Sequence, residues 1–171
     1  MTPPVSILWI VLILVALQRL AELAYARHNT RILLAEGAYE SGAGHYPLLV
    51  GLHALWLLSL AVFVPADRAP DWTLLGVFVV LQGLRVWVLA SLGRYWTTRI
   101  ITLPGAPLVR RGPYRWLRHP NYVVVAGEIA VLPLAFGAWQ IALAFSLANA
   151  LVLWVRIRTE ERVLSARLRH Q

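Results

Sequence analysis

The sequence predicts an all-α integral membrane bundle with five transmembrane helices, the N-terminus outside and the C-terminus cytoplasmic. Three observations predict it. Apolar residues make up 59% of the 171 residues and charged ones only 14%, and the mean hydropathy of +0.64 is far from that of a soluble domain. The apolar residues gather into five runs at the scale of bilayer-crossing helices. Lysine is absent, so all 16 basic side chains besides histidine are arginines, and they crowd the ends of those runs.

The first run extends from about Pro4 to Leu20. It lacks a basic n-region and ends at no small-x-small site, so it reads as a span and not as a cleavable signal peptide. The second covers Tyr46 to Val64 and the third Trp72 to Leu92. The fourth starts near Tyr122 and reaches Phe136; Pro120 suits a first helical turn and holds the residue before it extended. The fifth runs from Trp139 to Val155 and continues as a polar helix. Between the first two spans, residues 25–45 carry Gly37, Gly42 and Gly44 with Glu36, Glu40 and His45. That stretch reads as an amphipathic or irregular cytoplasmic interfacial loop, either a solvated connector or a roof over the substrate entrance. No long polar linker or internal repeat divides residues 1–171, which read as one domain with residues 72–165 as its core.

Arginine placement sets the orientation. Arg19, Arg27 and Arg31 follow the first span; Arg94, Arg99, Arg110, Arg111, Arg115 and Arg118 lie between the third and fourth; Arg156 to Arg169 follow the start of the polar helix. The opposite side holds only Arg68, between Asp67 and Asp71. By the positive-inside rule the crowded side is cytoplasmic. The net charge of +8 then reads as attraction to anionic headgroups of membrane lipid, not to nucleic acid. With no cysteine, disulfides and thiolate chemistry are excluded. No His/Glu group has zinc spacing, so no metal is expected, and the phosphate-binding loops of soluble nucleotide folds are missing.

Two polar clusters stand at the cytoplasmic ends of the last spans: Arg118-His119-Pro120-Asn121-Tyr122, and Arg158-Thr159-Glu160-Glu161. Free N–H groups at the start of the fourth helix attract an anion, and Arg118 and His119 add donors there. Interfacial anchoring is the alternative role for the first cluster; bracing of a solvated helix by an Arg156–Glu160 pair is the alternative for the second. Deeper in the bilayer lie Arg85, about seven residues or roughly 10 Å inside the third span, and Glu128, about six residues or roughly 9 Å inside the fourth. Each costs on the order of 3 kcal/mol at mid-membrane on insertion scales, so each needs a partner or an aqueous cavity. They form an ion pair or line an acceptor pocket. Gln18, Arg19, Glu22, His53 and Asn149 read as helix–helix hydrogen-bonding residues.

The two clusters, in this order and separated by one hydrophobic hairpin, closely resemble the C-terminal signature of the isoprenylcysteine carboxyl methyltransferase family. The resemblance covers roughly residues 72–165. It implies a membrane methyltransferase that uses S-adenosyl-L-methionine, bound by Arg118, His119, Pro120, Tyr122, Glu160 and Glu161, with Arg158 heading the second cluster. Arg85 looks like the arginine that family members carry in the preceding helix. The sequence departs from the family pattern in ending at Gln171, short of an aromatic tail, and in carrying a carboxylate at Glu128. The implied reaction is methyl transfer to a carboxylate or hydroxyl of a lipophilic small molecule, a prenylcysteine-like, isoprenoid or polyketide acceptor, at the inner membrane of a bacterium. Arg85 would position a carboxylate acceptor, whereas Glu128 or His119 would take the proton of a hydroxyl. An NADPH-dependent reductase, similar to sterol reductases, and a non-catalytic membrane scaffold are the other readings.

Overall fold

A computed structural model describes residues 6–41, 46–107 and 109–168, with side chains described through Glu160. Five helices account for most of it: α1 (Ile7–Ala35), α2 (Tyr46–Phe63), α3 (Trp72–Leu92), α4 (Pro120–Ala135) and α5 (Trp139–Leu168). Two three-residue strands, β1 (Tyr39–Ser41) and β2 (Ile100–Thr102), pair antiparallel with Glu40 opposite Ile101. Short 3-10 turns at Gly93–Tyr95 and Gly112–Arg115 bracket the long α3–α4 loop.

Four helices, α1, α2, α3 and α5, are long and apolar enough to cross a membrane. The chain is a multi-pass membrane protein. α4 is the exception, because its 16 residues reach only about 24 Å against a hydrocarbon core of about 30 Å. Five spans are expected from the sequence, and α4 falls short of the length of one; its neighbours account for its apolar character instead. α4 packs between α3 and α5, and Val124, Val125, Glu128, Ile129, Leu132, Pro133 and Ala135 are all buried. Its surroundings are protein more than lipid.

Cross-links at the two ends show that the helices alternate in direction. Ser6 accepts from Trp9 N–H at 3.5 Å as the cap of α1, and its hydroxyl donates to the Ala66 carbonyl in the α2–α3 loop. Asp71 caps α3 through Oδ1, 2.9 Å from Thr73 N and 3.1 Å from Leu74 N. The Asp71 N–H donates to Ala135 O, 2.7 Å away at the end of α4. At the far end, Asn29 Nδ2 donates to the carbonyls of Gly93 (3.2 Å) and Trp96 (2.9 Å), tying the end of α1 to the end of α3.

α1 differs from expectation. It runs past Leu20 to Ala35, so the part of residues 25–45 before Glu36 is helix, followed by a turn at Glu36 and Gly37 and then by β1. Residues 42–45 lie outside the described ones. The helix continues because nothing between Leu20 and Ala35 breaks it; Gly37, at φ +92°, is the first residue in a conformation a helix cannot use.

The interior is layered along the bundle axis. A large apolar cluster fills one half, with Leu8, Leu12, Trp56, Leu60, Phe78 and Ile129 at its centre. A smaller one, Ala26, Val88, Trp96 and Val124, lies toward the other end. In α1 and α3 the buried charged residues fall between the two, and on α4 Glu128 lies one turn from Val124 of the smaller cluster, beside Val125 and Ile129 of the larger.

Candidate functional site

That polar layer is a closed ring of four charges. Arg85 on α3 meets Glu22 on α1 side-on: Nε to Oε1 and Nη2 to Oε2 are both 2.6 Å. Its third donor, Nη1, reaches Glu128 Oε2 on α4 at 3.0 Å. Arg19, one turn before Glu22, closes the circuit at 2.7 Å to Glu128 and 3.1 Å to Glu22. Gln82 Nε2 donates to Glu128 (2.8 Å) and Gln18 Nε2 to Glu22 (3.1 Å). The arrangement follows from helical spacing. Residues 18, 19 and 22 share one face of α1, residues 82 and 85 one face of α3, and both faces meet α4 at Glu128. Two positive and two negative side chains leave the ring neutral, which offsets the cost of holding charge away from water. Arg85 and Glu128 are thus brought together as the sequence suggested, with Arg19 and Glu22 as partners that sequence reasoning treated as minor. The available signal was Gln18-Arg19-x-x-Glu22 inside an apolar helix.

The second centre lies where α4 begins and α5 leaves the bundle. His119 precedes Pro120, the first residue of α4, and its ring stacks on Tyr122 at 5.3 Å between centroids and 12° between planes. His119 Nδ1 is 3.3 Å from Glu160 Oε2. The Tyr122 hydroxyl donates to Glu160 Oε1, and Arg156 Nε donates to the Tyr122 oxygen at 2.9 Å and to Glu160 Oε1 at 3.3 Å. Residues more than thirty positions apart in sequence therefore share one carboxylate. Tyr114 is close enough that burial, with the Glu160 charge, pushes its phenol up from the usual range. Asn121 Oδ1 is buried without a hydrogen-bond partner among the described residues.

The other expected residues are placed less centrally. Pro120 is buried as the start of α4. Arg118 is exposed. Arg158 is exposed and lies over the Trp154 ring at 4.6 Å. The Glu161 side chain falls outside the described residues. Arg156, which reads in sequence as a brace for a solvated helix, is instead buried and at the heart of the cluster.

A strap covers the loop that leads to α4. β1 pairs with β2, Glu36 pairs with Arg94, and Glu40 pairs with Arg99 at 2.8 Å. Arg99 also lies over the Tyr46 ring at 4.9 Å. Farther along, Arg111 Nε donates to Ser91 O at 2.7 Å. Gly112 follows at φ +56°, where a Cβ would collide with the Ser91 side chain. The loop is thereby folded back onto the end of α3, delivering Tyr114 and His119 to the mouth of the bundle.

Among known proteins, the model of the isoprenylcysteine carboxyl methyltransferase family matches residues 74–166. A Bacillus subtilis (strain 168) protein described as uncharacterized protein YpbQ is 42% identical over 160 residues, spanning 91% of this chain and 95% of the relative. An uncharacterized protein of Haemophilus influenzae is 26% identical over 154 residues, spanning 86% and 88%. No solved structure matches the chain.

Proposed function

Because the chain belongs to the isoprenylcysteine carboxyl methyltransferase family, a family of membrane methyltransferases, we propose that it transfers a methyl group from S-adenosyl-L-methionine to a carboxylate or hydroxyl of a lipophilic small molecule. The observation that carries the proposal is the convergence of His119, Tyr122 and Arg156 on Glu160.

The donor set suits the cofactor. Its amino-acid end carries an ammonium and a carboxylate. Glu160 and the unpartnered Asn121 Oδ1 offer acceptors for the first; Arg156, His119 and the N-terminus of α4 offer donors for the second. We assign cofactor holding to these groups, with Arg118, Arg158 and Glu161 on the rim. When bound, the cofactor supplies a methyl group on a positively charged sulfur. The chain then has to hold an oxygen nucleophile in line and keep water out. His119 Nδ1 faces Glu160, which orients the ring; with a hydroxyl acceptor its other nitrogen would take the proton, leaving Arg156 and the start of α4 to hold the cofactor carboxylate.

Glu128 suits that role less well, since it already accepts hydrogen bonds from Arg19, Arg85 and Gln82. Along α4 it lies six residues beyond Tyr122, about 9 Å deeper. We therefore assign Arg85 and Glu128 to positioning: they form the polar floor against which the reacting end of a lipophilic acceptor rests. The arginine bias supports a cofactor mouth on the cytoplasmic face of a bacterial inner membrane, with the acceptor arriving sideways from lipid.

Calorimetric titration of the purified protein with adenosylhomocysteine, and in parallel with NADPH, tests the reading. Binding of adenosylhomocysteine that weakens at least tenfold in His119→Ala and Glu160→Ala is expected. Binding of NADPH alone would make the chain a reductase, and binding of neither would leave a scaffold.

A further inference from the structure

We propose that the end of the bundle remote from His119 and Glu160 carries a binding site for an anionic phospholipid. A cavity of about 380 Å³ opens there between Phe63 and Val64 at the end of α2, Arg68 in the α2–α3 loop, and Phe136, Gln140 and Ile141 across the α4–α5 turn. None of these residues belongs to the ring or to the Glu160 cluster, so the proposal stands apart from the methyltransferase reading.

Arg68 gives the cavity its chemistry. Asp67 and Asp71 flank it in sequence, yet no ion pair among the described residues includes it. Asp71 instead uses Oδ1 to cap α3. The guanidinium lies over the α4–α5 turn, where a Cβ on Gly137 would fall 2.5 Å from Nη2. The turn is bare of side chain at the one place where the arginine crosses it. One positive fork beside the apolar side chains of Phe63, Val64, Phe136 and Ile141 matches a phosphate diester with hydrocarbon attached. Gln140 supplies a second polar group.

The position of the cavity along the bilayer points to a lipid as the occupant. Phe63, Trp72 and Trp139 surround this end and are 75%, 67% and 59% exposed, as expected of aromatic side chains at headgroup level. A phosphate on Arg68 would therefore lie in the headgroup plane, with its acyl chains running down the exposed flank of α2.

The test is thermal unfolding of the full chain in a neutral detergent, with added dioleoylphosphatidylglycerol, dioleoylphosphatidylcholine or inorganic phosphate. We expect phosphatidylglycerol to raise Tm by about 5 °C and the other two to leave it unchanged. Arg68→Gln should lose most of that shift, and Arg115→Gln, at the other end, should keep it. Native mass spectrometry of the unmodified protein should show phosphatidylglycerol retained. An equal shift with phosphatidylcholine, or with phosphate alone, would overturn the proposal. So would an undiminished shift in Arg68→Gln, or no retained phosphatidylglycerol.

Discussion

Glu128 and Glu160 are both carboxylates on bundle helices held by arginine and a neutral donor, and their surroundings differ in one respect. Glu128 is 1% exposed, enclosed by apolar side chains, with its charge balanced inside a closed ring. Glu160 keeps 23% of its side chain open, beside a His119 that is 25% open. A buried, balanced ring has nothing left to offer a soluble ligand, and its loss is felt as instability. A carboxylate at an open mouth can exchange partners, and on the proposed function its loss would be felt as weakened cofactor binding. On the proposed function the same residue types would divide into a floor that holds the bundle together and a mouth that holds the cofactor, according to what lies on their open side.

Single substitutions in the ring should break the comparison most forcefully. Arg85→Met strands Glu128 and Glu22 with one guanidinium between them and should cost about 3–5 kcal/mol, read as a large drop in unfolding temperature in detergent. A loss below about 1 kcal/mol would mean that water reaches the ring. In the mouth, Tyr122→Phe removes the hydroxyl that joins Arg156 to Glu160. Adenosylhomocysteine affinity should fall by about five- to tenfold, or 1–1.5 kcal/mol, with the unfolding temperature nearly constant. An unfolding effect as large as that of the ring variant would move this centre to the architectural side.

The double variant Arg85→Met, Glu128→Gln sharpens the division further. It removes one charge of each sign and leaves Arg19 and Glu22, already 3.1 Å apart, as a neutral pair. Stability should recover to within about 1–2 kcal/mol of the parent, and adenosylhomocysteine should still bind. Methyl transfer to a lipophilic acceptor should be lost if the ring is the acceptor's floor. Near-normal turnover would make the ring purely structural. The smallest effect is expected from the strap. Removing the exposed Arg94–Glu36 and Arg99–Glu40 pairs together should cost no more than about 1–2 kcal/mol, less in high salt, as salt-dependent melting would show.

The sequence made four of the five expected spans legible because hydropathy needs no tertiary information, and the matched depths of Arg85 and Glu128 pointed to a shared layer. Arg19 and Glu22 make the helix–helix hydrogen bonds that their residue types suggest, but their place in the same layer as Arg85 and Glu128 was hidden for a related reason. Charges at the end of an apolar run look like the water boundary, so the span appeared to stop at Leu20 although no residue there ends a helix. Only the packing of α1 on α3 and α4 turns those charges inward. Arg156 was hidden by its i,i+4 spacing to Glu160, which looks the same on a solvated helix as on a buried one. Three-residue strands carry too little periodicity to be read at all.

The ring also bears on how the chain is put together. Arg19 and Glu128 are 109 residues apart, an interval of roughly 5–20 s at the pace of synthesis. During that time α1 is made without its final partners. The three-residue spacing of Arg19 and Glu22 supplies each with a counter-charge from the same helix, so the nascent segment can enter lipid already neutral. α3 then brings Arg85, which leaves the layer one positive charge in excess, and α4 brings Glu128, which returns it to neutrality.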